Sequence, residues 1–153
     1  MNGIIGLLAT GGSTNHTLHL IAIAKAAGIQ ITWQDFSDLS EHIPLVSRVY
    51  PNGPADVNHF HASGGMAFVI RTLLDNGLLH EGVNTILGQG LRKYTMDPKL
   101  QDGNISYVEG PSESLNDTII RPCEAPFQLT GGLKVLNGNI GTCLLYTSDA
   151  ADE

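Results

Sequence analysis

Apolar residues along this chain fall into distinct rhythms, and each rhythm predicts an element. Ile4, Ile5, Leu7, Leu8 and Ala9 run together without polar alternation, which reads as a short strand or a buried helix end, covered on both sides in either case. After Gly11-Gly12 the run Ser13-Thr14-Asn15 supplies N-cap chemistry. Leu18, Ile21, Ala22 and Lys25, with Leu20, Ala24 and Ala27, then carry a helical pattern to Gly28, a natural stop. Ile29, Ile31 and Trp33 alternate with Gln30 and Thr32, which predicts a strand with one buried face. Strand, helix and strand in this order predict an α/β layer.

Further along, Asp35–Glu41 is expected to form a short helix capped by Asp35 or Ser37 and ended before Pro44. Tyr50-Pro51-Asn52-Gly53-Pro54 is a turn by composition. Met66, Val69, Ile70, Leu73 and Leu74 recur at three- and four-residue steps, so a second helix is expected from about Gly65 to Leu74, with a helical turn over Asp56–Ala62 leading into it. Val83–Leu87 and Ile105–Val108 read as strands, with a turn at Asp102-Gly103. Glu109–Pro126 reads as a connection. Phe127–Ile140 reads as a glycine-punctuated β pair with a turn at Asn137-Gly138, and nothing after it is expected to complete that sheet. From Cys143 onward the pattern breaks, and residues 142–153 are expected to be a non-native tail.

Composition narrows the classes. Glycine makes up 18 of 153 residues, so close backbone approaches are expected. The net charge is −7, from 8 basic and 15 acidic residues, without a Lys/Arg cluster. That balance argues against a duplex nucleic-acid surface or an anionic membrane as partner. No stretch reaches the roughly 18–20 apolar residues of a membrane span. Met1–Thr10 lacks a basic n-region, so no signal peptide is expected and the cytoplasm is the default location. Cys123 and Cys143, without CxxC spacing, and six scattered histidines give neither a disulfide framework nor a zinc pattern.

Candidate chemistry sits at helix starts. Gly12, Ser13, Thr14 and Asn15 place backbone N–H groups and two hydroxyls at the positive end of a helix dipole, which suits a carboxylate or phosphate; plain capping is the alternative. Ser63-Gly64-Gly65 is a second start of this kind. His59-Phe60-His61, near Asp56 and Asn58, would share a metal only on a strand, and a helical setting points the two rings apart. Gly88-Gln89-Gly90 lacks the context of a dinucleotide site, and Asp35 with Asp38 reads as capping rather than a carboxylate pair.

Taken together, Ala9-Thr10-Gly11-Gly12-Ser13-Thr14-Asn15-His16, Asp35-Phe36-Ser37-Asp38-Leu39-Ser40, Tyr50–Phe60, Gly77-Leu78-Leu79-His80 and Gly131–Gly141 resemble the dihydroxy-acid and sugar-acid dehydratase family. The Tyr50–Phe60 and Asp35–Ser40 stretches resemble its phosphogluconate branch. The resemblance implies a fragment of an N-terminal α/β domain (residues 1–120), followed by a linker and the first strands of a β-rich C-terminal domain (residues 121–141). It implies a hydro-lyase that takes water from 6-phospho-D-gluconate, using an iron–sulfur cluster whose ligands lie outside this chain and a divalent metal such as Mg. The expected partner is a small phosphosugar acid, with a homodimer for the complete protein. By resemblance Gly12, Ser13, Thr14 and Asn15 face substrate. Asn58, His59 and His61 are carried as substrate or domain-interface contacts, with simple packing as the alternative. A related dehydratase of unphosphorylated acids and a non-catalytic anion-binding module are the competing readings.

Overall fold

The computed structural model describes residues 1–141 and the backbone of 144–147. Among them, five helices come first: α1 (Asn2–Thr10), α2 (Thr14–Ala26), α3 (Trp33–Ser40), α4 (Val57–Ala62) and α5 (Gly65–Asp75). Three antiparallel ribbons follow: β1 (Asn84–Thr85) with β2 (Gly88–Gln89), β3 (Met96–Gln101) with β4 (Asn104–Glu109), and β5 (Leu133–Leu136) with β6 (Leu144–Thr147). A 3₁₀ turn at Leu91–Thr95 precedes β3.

The apolar run at the start is a helix, not a strand. Ile4, Ile5, Leu7, Leu8 and Ala9 are all buried in α1, which contributes to one core with Phe36, Ile43, Val46, Phe68, Val69, Leu73, Ile120 and Leu133. A helix covered on most sides loses its polar stripe and with it the period that identifies it. Its C-terminus is closed by Gly11 in the left-handed region (φ 60°), whose N–H donates to Leu7 O.

The last carbonyls of a helix have no partner within it, and when they are buried other chain segments must supply donors. Here Leu7 O also accepts from Gly12 N (3.3 Å), Leu8 O from Gly132 N (2.9 Å), and Ala9 O from Val46 N (2.8 Å). Thr10 O accepts from Ser47 Oγ at 3.2 Å. The extended segment 43–47 is thereby drawn into the core, where Leu45 bridges to Gln128 and Ser47 to Ile120 in antiparallel sense. The stretch Glu109–Pro126, which reads as a mere connection, thus sends Ile120 through the centre of the molecule, where it is fully buried.

α2 follows its predicted bounds closely. Ser13 is the N-cap, and the C-terminus is a Schellman motif in which Gly28 N donates to Lys25 O (3.0 Å) and Ile29 N to Ala24 O (2.8 Å). Leu20 and Ile21 pack on the core, but Thr17 is its one buried residue, and Leu18 and Ile23 stay 57% and 64% exposed. The strand expected at Ile29–Trp33 does not form. Among the described residues no segment pairs with it, so the alternation leads instead into α3, with Ile29 exposed and Ile31 against the core. The strand–helix–strand layer is therefore replaced by helices around α1, within a mixed α and β architecture. α3 begins earlier than expected: Thr32 is the N-cap and Asp35 the N3 residue, whose Oδ2 accepts from Thr32 N (2.6 Å) and Thr32 Oγ1 (2.9 Å).

α4 and α5 form as the periodicity predicts, and the Asp102-Gly103 turn closes the β3–β4 ribbon between Gln101 and Asn104. Arg71 on α5 ties down the root of that ribbon by donating to Gly110 O (3.2 Å) and Thr95 O (3.4 Å). The last ribbon differs from expectation. β5 pairs with β6, which lies beyond Gly141 in the stretch set aside as a tail, and Gly138 N to Gly141 O (2.7 Å) closes the loop between them. Cys143 and residues 148–153 lie outside the described residues.

Two glycine substitutions test this packing. A Cβ on Gly132 would sit 2.6 Å from Gly11 Cα and from Asn52 Nδ2, whereas one on Gly6 in α1 meets nothing within 4 Å. Gly132→Ala is expected to cost about 2 kcal/mol from overpacking, and Gly6→Ala to be neutral or to add about 0.5 kcal/mol through helix propensity. Urea denaturation of the two variants reads the difference, and a Gly132→Ala protein as stable as Gly6→Ala contradicts the close approach.

Candidate functional site

At the start of α2, Ser13 is extended (φ −63°, ψ 142°) and its Oγ accepts from Asn15 N at 3.3 Å. Thr17 Oγ1 donates to Thr14 O at 2.6 Å and pins the first turn to the core from its buried side. No acidic residue lies in that turn, so the positive end of the helix dipole is not offset by the chain's own carboxylates there. Gly12, Ser13 and Thr14 are half-buried, while Asn15 is exposed. Among the described residues the Asn15 side chain makes no hydrogen bond.

Beside this turn a cavity of about 360 Å³ is lined mostly by apolar side chains, among them Leu7, Met66, Ile70 and Leu79, with Thr10 and His16 at its polar side. His16 thus belongs to the first turn of α2 and Met66 to that of α5, so both helix starts open on one hollow. The α5 start itself is covered. Ser63, Gly64 and Gly65 are buried, and Ser63 Oγ donates to His59 O at 2.7 Å.

Asn58, His59 and His61 are exposed on α4. Asp56 caps that helix: its Oδ1 accepts from His59 N at 2.8 Å and lies 2.9 Å from His59 Nδ1. His61 lies toward Gly65, its Nδ1 3.4 Å from where a Cβ there would stand. The two histidines therefore have separate neighbours, as a helical setting demands. His59 borders a shallow hollow with Arg48, Pro54 and Thr118, apart from the α2 start.

What the fold does bring together is three of the motif segments. Asn52, only 2% exposed, packs against Gly11 and Gly132, where a Cβ would stand 1.9 Å and 2.6 Å from its Nδ2. The glycine pair before α2, the Tyr50–Pro54 turn and the start of β5 thus meet at one point. Chain distance hides this contact from a local reading; the signal for it is only that each segment carries glycine.

Sequence reading also passes over a cationic cluster. Arg48 and Arg121 both stand over the Phe127 ring, at 5.3 Å and 4.3 Å from its centroid. Spaced far apart along the chain, they form no basic run.

The described residues do not supply a metal or cluster site: none of their histidines, cysteines and carboxylates form a group of three or more able to hold a metal. Cys123 is a single half-buried thiol whose pKa burial pushes up, against the hydrogen bond with Thr72.

Asp56 carries a pH dependence. The N–H of His59, and secondarily the charge of that ring, hold its carboxyl below the usual carboxylate value. A depressed folded pKa gives stability that is complete above the unfolded value of about 3.9 and is lost as pH falls through the folded value. Asp56→Asn keeps a capping side chain without the titration. The stability advantage of wild type over Asp56→Asn is expected to be lost on acidification below about pH 4. Denaturation melts across that range check it, and a difference that does not change below about pH 4 contradicts it.

Comparison with known proteins places this geometry in a family. The model of the dihydroxy-acid/6-phosphogluconate dehydratase N-terminal family matches residues 1–94. The chain is 57% identical over 153 residues to a phosphogluconate dehydratase of Pseudomonas aeruginosa, covering all of this chain and 25% of that protein. It is 57% identical over 148 residues to the phosphogluconate dehydratase of Escherichia coli K12, covering 97% of this chain and 24% of that protein. With a dihydroxy-acid dehydratase of Roseiflexus it shares 36% identity over 139 residues, 91% of this chain and 22% of the relative. The chain therefore spans about a quarter of the length of the curated relatives it matches. With its glycine-hydroxyl-asparagine helix start seated on the Asn52 contact, this chain belongs to the dihydroxy-acid/6-phosphogluconate dehydratase family.

Proposed function

We propose that this chain is a segment of a phosphogluconate dehydratase, which removes water from 6-phospho-D-gluconate to give 2-dehydro-3-deoxy-6-phosphogluconate. The observation that carries the reading is the 57% identity along the whole chain to a phosphogluconate dehydratase, against 36% to a dihydroxy-acid dehydratase. In the reaction the C2 proton and the C3 hydroxyl leave, and the resulting enol becomes the 2-keto acid. Hydroxide is a poor leaving group, and an iron–sulfur cluster in this family supplies the Lewis acid for it. In this reading the cluster ligands fall to parts of the enzyme outside this chain, and the residues described here bind and orient.

In this reading Gly12, Ser13, Thr14 and Asn15 present the α2 start to an anionic group of the substrate. The hydroxyls and the N–H groups of the first turn are its natural donors. Capping and binding coexist there, since Ser13 Oγ accepts from Asn15 N while the Asn15 side chain stays exposed. Asn58, His59 and His61 lie on the exposed side of α4, which suits a contact with substrate or with a following domain. The exposed Leu18 and Ile23 on α2 fit a helix that packs against further polypeptide in a larger enzyme. The complete protein is read as a cytoplasmic homodimer built from an N-terminal α/β domain, of which residues 1–120 form the later part, and a β-rich C-terminal domain.

Two outcomes test the proposal. The isolated 153-residue chain is expected to show no dehydration of 6-phosphogluconate even after cluster reconstitution. In the complete enzyme, Asn15→Ala is expected to lower kcat/KM by about tenfold or more, a loss of about 1.4 kcal/mol in transition-state binding, with an unchanged melting temperature. Parallel loss of turnover and stability would return Asn15 to a purely structural role. Full turnover of an unphosphorylated sugar acid, with none of 6-phosphogluconate, would replace the substrate.

A further inference from the structure

Arg48 and Arg121 lie on two extended segments joined at their buried residues. Ser47 and Ile120 form an antiparallel bridge with both side chains fully buried, while Arg48 N donates to Ile119 O and Arg121 N to Val46 O, each at 2.8 Å. Side chains alternate along extended backbone, so Arg48 and Arg121 share the face opposite Ser47 and Ile120, Arg48 exposed and Arg121 half-buried. Both arginines consequently emerge on one side, and Phe127 lies under both guanidinium groups, 5.3 Å and 4.3 Å from their carbons.

Their surroundings differ from those of the other arginines. Arg71 pairs with Glu109 at 3.4 Å, and Arg92 with Asp75 at 2.7 Å and Glu81 at 3.1 Å. Among the described residues neither Arg48 nor Arg121 has a carboxylate within ion-pair distance, although the chain carries 15 acidic residues against 8 basic ones. The acids nearby are otherwise engaged or held off. Asp56 is bound to His59, and Asp117 offers Arg121 Nε its backbone carbonyl at 2.9 Å rather than its carboxylate. Glu113 and Asp117 border the hollow on the Arg121 side without pairing. Two like charges on one ring repel, and the ring quadrupole attracts each without neutralising either. An anion bridging them removes that repulsion.

We propose that Arg48 and Arg121, braced on Phe127, bind a phosphate monoester, and that in this enzyme it is the phosphate of the phosphorylated sugar acid. The guanidinium fork matches phosphate oxygens two at a time, and with two forks the site favours a dianion over a carboxylate. Arg121 has its terminal nitrogens left for this, its Nε being held by Asp117 O. The segment that carries Arg48 is anchored from its buried side, where Ser47 Oγ donates to Thr10 O at the end of α1. The assignment to a sugar phosphate rests on the proposed function; the anion chemistry does not.

The test uses the complete enzyme and inorganic phosphate as the probe. Arg48→Gln and Arg121→Gln are each expected to weaken phosphate binding, read by calorimetry, by about tenfold. They are also expected to raise KM for 6-phosphogluconate by a similar factor while leaving kcat within about threefold. Arg48 is exposed, so its variant is expected to keep the fold, and Arg121→Lys retains a cation should Arg121→Gln unfold. Arg48→Gln enzyme that is folded and binds phosphate and substrate like wild type overturns the proposal. Wild type that binds phosphate through these arginines but does not dehydrate 6-phosphogluconate upholds the anion site and removes the functional reading instead.

Discussion

The buried C-terminus of α1 is the constraint on which the rest of this fold depends. A helix that ends in the core leaves carbonyls that water cannot reach, and leaving each unpaired costs about 1–3 kcal/mol. Gly11 and Gly12 answer the first of them, but Leu8, Ala9 and Thr10 take donors from Gly132, Val46 and Ser47, residues far away in the chain. Meeting that demand draws the segment 43–47 inward, and this segment in turn captures Ile120 and Gln128. The late part of the chain is thereby stitched to its beginning without any continuous sheet.

The same constraint explains why the family motifs meet. With Gly11 in the left-handed region and Gly132 held by Leu8 O, the two backbones come so close to Asn52 that neither position has room for a Cβ. The loop before α2 is then set by packing, and the donors of the first turn of α2 are aimed by it. A helix start that is fixed in this way can hold an anion without first paying to order its own loop. At Ser13-Thr14-Asn15 the cap falls to Ser13, and Asn15 is left exposed.

The surface left over is uneven. α2 keeps Leu18 and Ile23 in solvent, and the β3–β4 ribbon exposes Leu100 and Ile105, while the core is confined to the surroundings of α1. Such faces are expected of a piece that covers about a quarter of its relatives' length. The Phe127 cluster is different in kind, since among the described residues its arginines, rather than an apolar area, have no ion-pair partner.

Much of the local chemistry decided by neighbours in sequence was legible, though not the capping box of Thr32 and Asp35. Ser13, Gly28, Asp56, Gly65 and Asp102-Gly103 mark helix ends and a turn because caps and tight turns involve only a few successive residues. The resemblance carried by Ala9–His16 and Tyr50–Phe60 is likewise a property of the residues in order. Tertiary contacts decided the rest. α1 is a helix because it is surrounded, a state its apolar run leaves open. Ile29–Trp33 fails to become a strand because, among the described residues, no segment pairs with it, and β5 finds its partner in a stretch whose composition breaks the pattern. Asn52 with Gly11 and Gly132, and Arg48 with Arg121 on Phe127, are contacts between distant residues whose burial and charge mean little until the chain brings them together.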